Sequence, residues 1–302
     1  MQTTAKYQAN PQQLKDFLYD LISRHASQES LQWLNKQTDS FRQEWNQRTF
    51  YFAFSSVPRF MGKGSVDYPP DTLSRAHQLR RGFSPSGWDM TQLTRTYILL
   101  HLPHDDAQNY LLTLNRMCET ADMYEQQAIY AAMPLLPHPE ELTGRAAEGV
   151  RTNMTNVFDA IALHNPYPAD YMEKEAWNQL VLKAVFMGRP LYKIDGADKR
   201  NNPELARMLV DFAHERWAAH RKVSPEIWRF VAPYLDEAYL PDLEKTIKQG
   251  NALEVEAALL ACSLSAYTGG RQLLDQHRPI KERIQNGEIS WENIGERYHY
   301  SL

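Results

Sequence analysis

Apolar residues recur at three- and four-residue steps along most of the chain. Leu14, Phe17, Leu18, Leu21 and Ile22 form one such stripe, and Tyr110, Leu111, Leu114 and Met117 form another. That period puts the apolar side chains on one face of an α-helix. Runs of alternating Val, Ile and Thr bounded by turns do not occur, and glycine is sparse at 13 residues, so the usual strand and hairpin signals are missing.

Prolines divide the helical pattern. Proline fits the first turn of a helix but not its interior, so Pro103, Pro134, Pro166, Pro190, Pro203, Pro225 and Pro241 read as helix starts or ends. In "SPEIW" Ser224 reads as an N-cap, Pro225 as the first helical residue and Glu226 as the acid of the first turn. "NNPELARML" repeats that arrangement with Asn202. From residue 104 to 286 the rhythm is helix, break, helix. It predicts an all-α protein of stacked antiparallel helix pairs, a HEAT/armadillo-like α-solenoid with an N-terminal helical segment, although no strict repeat consensus occurs. Residues 57–88 are rich in Gly, Pro and Ser. They are expected to form a long loop that ends an N-terminal segment, 1–88, ahead of a helical body, 89–302; one continuous domain is the other reading.

A chain of 302 residues with 43% hydrophobic content can bury a substantial core. Lysine and arginine number 33 against 37 acids, a net charge of −4, so no general attraction to nucleic acid is expected. Cys118 and Cys262 lie within apolar helical patterns and suggest no disulfide framework, so a reducing, cytoplasmic home is expected. The longest apolar runs, such as "AALLAC", fall far short of a membrane span of about 20 residues, and the N-terminal stretch has no signal-peptide pattern.

Chemistry motifs are weak. "HERWAAH" begins like a zincin helix, but His214 and His220 lie six residues apart, about 240° around a helix, and do not share a face. "HLPHDD" gathers His101, His104, Asp105 and Asp106, but Pro103 separates the histidines and a surface loop explains them. "MGKGS" has neither a strand nor a helix start beside it and reads as a flexible turn. No metal site is expected and no cofactor motif is evident, so the cofactor is unknown.

Polar residues embedded in apolar helices are the denser signal. Glu148, Arg151, Thr155 and Asp159 follow helical steps and would line one face, as a cleft wall or as a solvated ion-pair surface. His164, Asn165 and Tyr167 would project where proline ends a helix, as a site or as a structural turn. Trp177 and Asn178 open the run "LVLKAVF", where Lys183 either snorkels to water or is buried with a lowered pKa; snorkelling is the simpler reading. Asp198, Arg200 and Asn202 fall in a loop before a helix carrying Asp211, His214, Glu215, Arg216 and Trp217. Arginine and tryptophan beside acids suit ligand or partner recognition, and equally suit contacts between helix pairs.

The strings "MYEQQAIYAAMPLLPHPEE" (123–141), "RAAEGVRTNMTNVFDAIALHNPYPADY" (145–171), "AWNQLVLKAVFMGRPLYKIDGADKRNNPELARMLVDFAHERWAAHR" (176–221) and "VSPEIWR" (223–229) resemble the EboA family. The resemblance implies a bacterial protein encoded beside a UbiA-like prenyltransferase, a TatD-like hydrolase, a sugar-isomerase-like protein and a dehydroquinate-synthase-like protein. It also implies a role in making or exporting a prenylated small metabolite, and it supplies no catalytic residues. The expected function is a non-catalytic binding or scaffold protein, whose partners are proteins or a hydrophobic metabolite of that gene cluster. The alternative is an enzyme of the same pathway, with His214 or Glu215 moving a proton and Lys183 or Arg200 holding an anion in a cleft that includes His164, Asn165 and Asp198.

Overall fold

The computed structural model describes residues 9–300, and every regular element among them is helical. The isolated antiparallel bridge between Ser65 and Asp89 is the one β pairing among the described residues. The chain divides into two compact units, the first ending at Met172 and the second beginning at Glu173.

In the first unit the helices are α1 (Pro11–His25), α2 (Gln28–Gln43), α3 (Gln47–Met61), α4 (Pro70–Leu79), α5 (Met90–Leu99), α6 (Ala107–Thr120), α7 (Met123–Ala132), α8 (Thr143–Arg151), α9 (Thr155–Ala162) and α10 (Tyr167–Tyr171). The second unit holds α11 (Lys174–Phe186), α12 (Ala197–Arg200), α13 (Pro203–Ala218), α14 (Trp228–Val231), α15 (Leu240–Gln249), α16 (Ala252–Leu264), α17 (Thr268–Asp275), α18 (Arg278–Gln285) and α19 (Trp291–Tyr300). Short 3-10 turns join several of them.

Local rules account for the ends. Asn10 caps α1 by accepting from the backbone N–H groups of Gln12 and Gln13, Pro11 opens the helix, and the chain turns extended at Ala26. The expected stripe Leu14, Phe17, Leu18, Leu21 and Ile22 is buried. At ~1.5–3 kcal/mol per buried side chain it supplies on the order of 10 kcal/mol of gross stabilisation. Asn202 caps α13 by accepting from Leu205 N–H, and Ser224 accepts from Glu226 N–H at the 3-10 turn Pro225–Ile227.

Some expectations change. Glu148, Arg151, Thr155 and Asp159 do not share one helix, because Thr152 and Met154 are extended and separate α8 from α9. Asp198 and Arg200 sit in the short helix α12 and not in a loop. The glycine- and proline-rich residues 57–88 lie within the first unit and contain the end of α3 and all of α4.

Helices pack pairwise, as in α7 with α9 and α15 with α16, and each unit has one helix at its centre. In the first unit that helix is α5, buried along its whole length and packed by α1, α3 and α7. Its counterpart, α16, is buried from Glu256 to Cys262 and packed by α14, α15, α17, α18 and α19. No helix among the described residues is long and apolar enough to cross a membrane.

Candidate functional site

A concave feature of the second unit lies where α13 ends. His220 takes a left-handed conformation, φ 53°, and its N–H donates to Trp217 O at 3.0 Å while Arg221 N–H donates to Arg216 O at 2.8 Å. This closure reverses the chain, as a helix terminus in the left-handed conformation does. Arg221, Lys222 and Val223 therefore return beside the last turn of α13, where Arg216 Nε donates to Lys222 O at 2.9 Å.

The reversed segment forms one wall, and Lys245, Thr246 and Gln249 of α15 form the other. Trp217, Pro225 and Trp228 lie between them around a cavity of about 620 Å³. The Lys245 ammonium sits 3.9 Å from the Trp217 ring centroid, a cation–π contact. Trp228 approaches the same indole with centroids 6.1 Å apart, and the His214 ring lies 5.8 Å away.

The electrostatics are one-sided. Arg221, Lys222 and Lys245 line the cavity with His220, against a single lining carboxylate, Glu254. That carboxylate accepts from Asn251 N–H at 2.7 Å, so it is already engaged in capping α16. The Trp217 indole, backed by the buried Trp228, beside several cations suits a molecule with an apolar body and an anionic head.

Of the residues singled out in the sequence, Trp217 lines this cavity, and His214, Glu215 and Arg216 share its helix. His214 is exposed, with Nε2 2.7 Å from Asp242 Oδ1, a pair that joins α13 to α15. Glu215 is exposed as well. Elsewhere in the second unit, Asn178 and Asn202 exchange amide hydrogen bonds, Nδ2 of Asn202 donating to Asn178 Oδ1 at 2.8 Å. Trp177 is fully buried beneath the Arg200 guanidinium, 5.3 Å from its ring. Asp198 accepts two hydrogen bonds from Arg229, at 2.7 and 2.6 Å. Lys183 is half-buried on α11, and burial lowers its pKa.

His164, Asn165 and Tyr167 belong to the first unit. His164 is exposed and left-handed, φ 52°. Asn165 is buried and ties three backbones together: its amide donates to Tyr130 O at 3.0 Å and Ala160 O at 2.8 Å, and its carbonyl accepts from Tyr167 N–H. The Tyr167 hydroxyl donates to Pro139 O. The polar atoms of Asn165, Tyr167, Asn178 and Asp198 are thus engaged within the protein.

Sequence reasoning passed over Lys222, Trp228 and Lys245. The cationic string "HRK" directly after "RWAA" was a visible signal; Lys245 comes from a later helix and was not. Among the described residues no group of three or more His, Cys, Asp or Glu is arranged to hold a metal ion. The family described as metabolite traffic protein EboA matches residues 14–232. No curated protein and no solved structure matches the chain.

Proposed function

The chain belongs to the EboA family, and from that premise we propose a non-catalytic binding protein that holds a lipophilic, acid-headed intermediate of a bacterial small-metabolite pathway. The observation that carries this reading is the cavity at the end of α13, where Trp217, backed by the buried Trp228, offers apolar surface beside Arg221, Lys222 and Lys245. The family description, metabolite traffic, fits a protein that holds a compound and does not transform it. A prenylated compound with a phosphate or carboxylate head matches both halves of the cavity.

In this reading the helix pairs stack in the manner of a solenoid, leaving extended surface for a pathway enzyme to dock. The protein works in the cytoplasm, and the free, buried thiols of Cys118 and Cys262 suit a reducing compartment.

Isothermal titration with farnesyl monophosphate tests the proposal. Micromolar binding is expected, weakened about tenfold by Lys245→Glu or by Trp217→Ala. Absence of heat at high micromolar ligand contradicts the reading. So does equally tight binding of inorganic phosphate, which would reduce the site to a bare anion patch.

A further inference from the structure

The outward face of α3 joins an exposed aromatic ring to cations that have no carboxylate partner. The helix buries Phe50, Ala53, Phe54, Val57 and Met61 on one side. Arg48, Phe52, Ser55 and Arg59 follow steps of four, three and four, which set them in a single row on the other side, and all four are exposed. At 1.5 Å per residue the row is about 16 Å long. Phe52 stands near its middle and is 68% exposed, more than any other large hydrophobic residue described in the first unit. A ring so placed gains by leaving water.

The two arginines of the row are unpaired. Arg24, Arg42 and Arg75, exposed on α1, α2 and α4, each meet a carboxylate: Arg24 and Arg75 share Asp20, at 2.6 and 3.6 Å, and Arg42 lies 3.6 Å from Asp39. Arg48 and Arg59 have no such partner among the described residues, and α3 contains no acid. The Arg59 guanidinium lies instead over the Phe60 ring, 5.6 Å from its centroid, and Phe60 stacks on Trp33 of α2 with centroids 4.7 Å apart. Residues 28–63 carry five cations against three acids in a chain whose net charge is −4. Those acids, Glu29, Asp39 and Glu44, belong to α2 and its C-cap, so none joins the row.

The mixture of groups defines what covers this face. The core of a protein interface is a contiguous apolar patch depleted of charge. Around Phe52 the exposed positions of α3 are Arg48, Thr49, Ser55 and Arg59, which offer hydroxyl and guanidinium groups and no such patch. An anionic bilayer surface asks for the reverse, guanidinium groups to meet phosphate oxygens and an aromatic ring to enter the headgroup layer between them. No helix among the described residues is long and apolar enough to cross a membrane, so contact through this face is peripheral.

We propose that the outward face of α3 docks the protein on a membrane surface rich in anionic phospholipid, with Arg48 and Arg59 on lipid phosphates and Phe52 inserted among the headgroups. The face belongs to the first unit and stands independently of the function proposed for the α13 cavity.

Co-sedimentation of the full chain with vesicles of phosphatidylglycerol, or of phosphatidylcholine alone, tests it. Pelleting with phosphatidylglycerol at about 0.1 M salt is expected, with loss at about 1 M salt and little pelleting with phosphatidylcholine. Arg48→Gln together with Arg59→Gln should weaken the binding about tenfold, and Phe52→Ser about fivefold, without lowering the melting temperature, because all three side chains are exposed. Arg24→Gln together with Arg75→Gln removes the same charge from arginines that already have a partner, and should change binding less than about twofold. The proposal is overturned if the wild type stays in the supernatant with phosphatidylglycerol, which would leave the face to an acidic protein partner. It is equally overturned if phosphatidylcholine pellets the protein as well, or if the Arg24 and Arg75 pair of substitutions weakens binding as much as the α3 pair, which would reduce the effect to net charge.

Discussion

The two central helices handle buried charge in opposite ways. On α16 the buried carboxylate of Glu256 is met by Arg283 Nη1, 2.6 Å from Oε1, and by Arg297 Nη1 on its other oxygen. On α5 the buried guanidinium of Arg95 has a backbone acceptor at one nitrogen, a long ion pair at another and nothing at the third. The centre of the second unit is electrostatically complete, and its cavity lies out at the end of α13. The first unit leaves one buried donor on its central helix without an acceptor. Complete satisfaction stabilises a core, whereas a buried donor without an acceptor costs stability.

The largest effect should come from breaking a complete pair within the first unit. Arg80 and Asp170, 2.7 Å apart with side chains 1% and 3% exposed, form that reference. Asp170→Ala removes the carboxylate that balances the buried Arg80 charge, leaving it the backbone acceptors Pro134 O and Arg81 O, and should cost about 3–5 kcal/mol in chemical denaturation. A cost below about 1 kcal/mol would show that a buried arginine in this unit tolerates a missing partner, and the contrast between α5 and α16 would lose its meaning.

Acid should expose the next difference. His101 follows α5, and burial first, then Lys15 and Arg42, pushes its pKa down from 6.5 to about 4, against a favourable bond to Tyr97 O. The unfolded chain takes up that proton near pH 6.5 and the folded chain only near pH 4. The contribution is therefore whole above pH 6.5 and is lost as pH falls toward 4, to a total of about 3 kcal/mol. Denaturation midpoints measured across that range should fall in the wild type and fall less steeply in His101→Asn.

A double-mutant cycle tests the structural task of Arg95, the bond from Nε to Phe54 O. Arg95→Met should cost about 1–3 kcal/mol, because Phe54 O loses its donor. Pro58→Ala restores a backbone N–H to that carbonyl, so the same Arg95→Met change should cost about 1 kcal/mol less in the Pro58→Ala background. Additive costs would mean that Phe54 O is not what Arg95 Nε serves. The smallest expected effect is a shared one: burial raises Cys118 to about 11 and Cys262 to about 12, so neither thiol should react with a disulfide reagent until its unit unfolds.

Features set by near neighbours in sequence were readable without coordinates. The α1 stripe, the Asn202 cap and the Ser224 turn each rest on a few residues, and each forms as the pattern predicts. The face shared by Glu148, Arg151, Thr155 and Asp159 fails because helical spacing shows nothing of the extended residues between α8 and α9. Asn165 drew notice as a candidate ligand, and its polarity turns out to serve backbone carbonyls from two separate segments. Trp217 was legible as an aromatic among charges, but the cavity around it needs Lys245 from another helix. Arg95 was overlooked in "MTQLTRTYILL", where its meaning depends on Pro58 and Glu125, both distant in sequence.

The most direct test of a binding function is native mass spectrometry of the untagged protein, purified gently from a host that expresses its neighbouring genes. The account predicts that the wild type retains a small-molecule mass and that the combined Trp217→Ala and Lys245→Glu variant, folded by circular dichroism, arrives without it. A bare wild-type chain, or the same retained mass in the variant, would contradict the account.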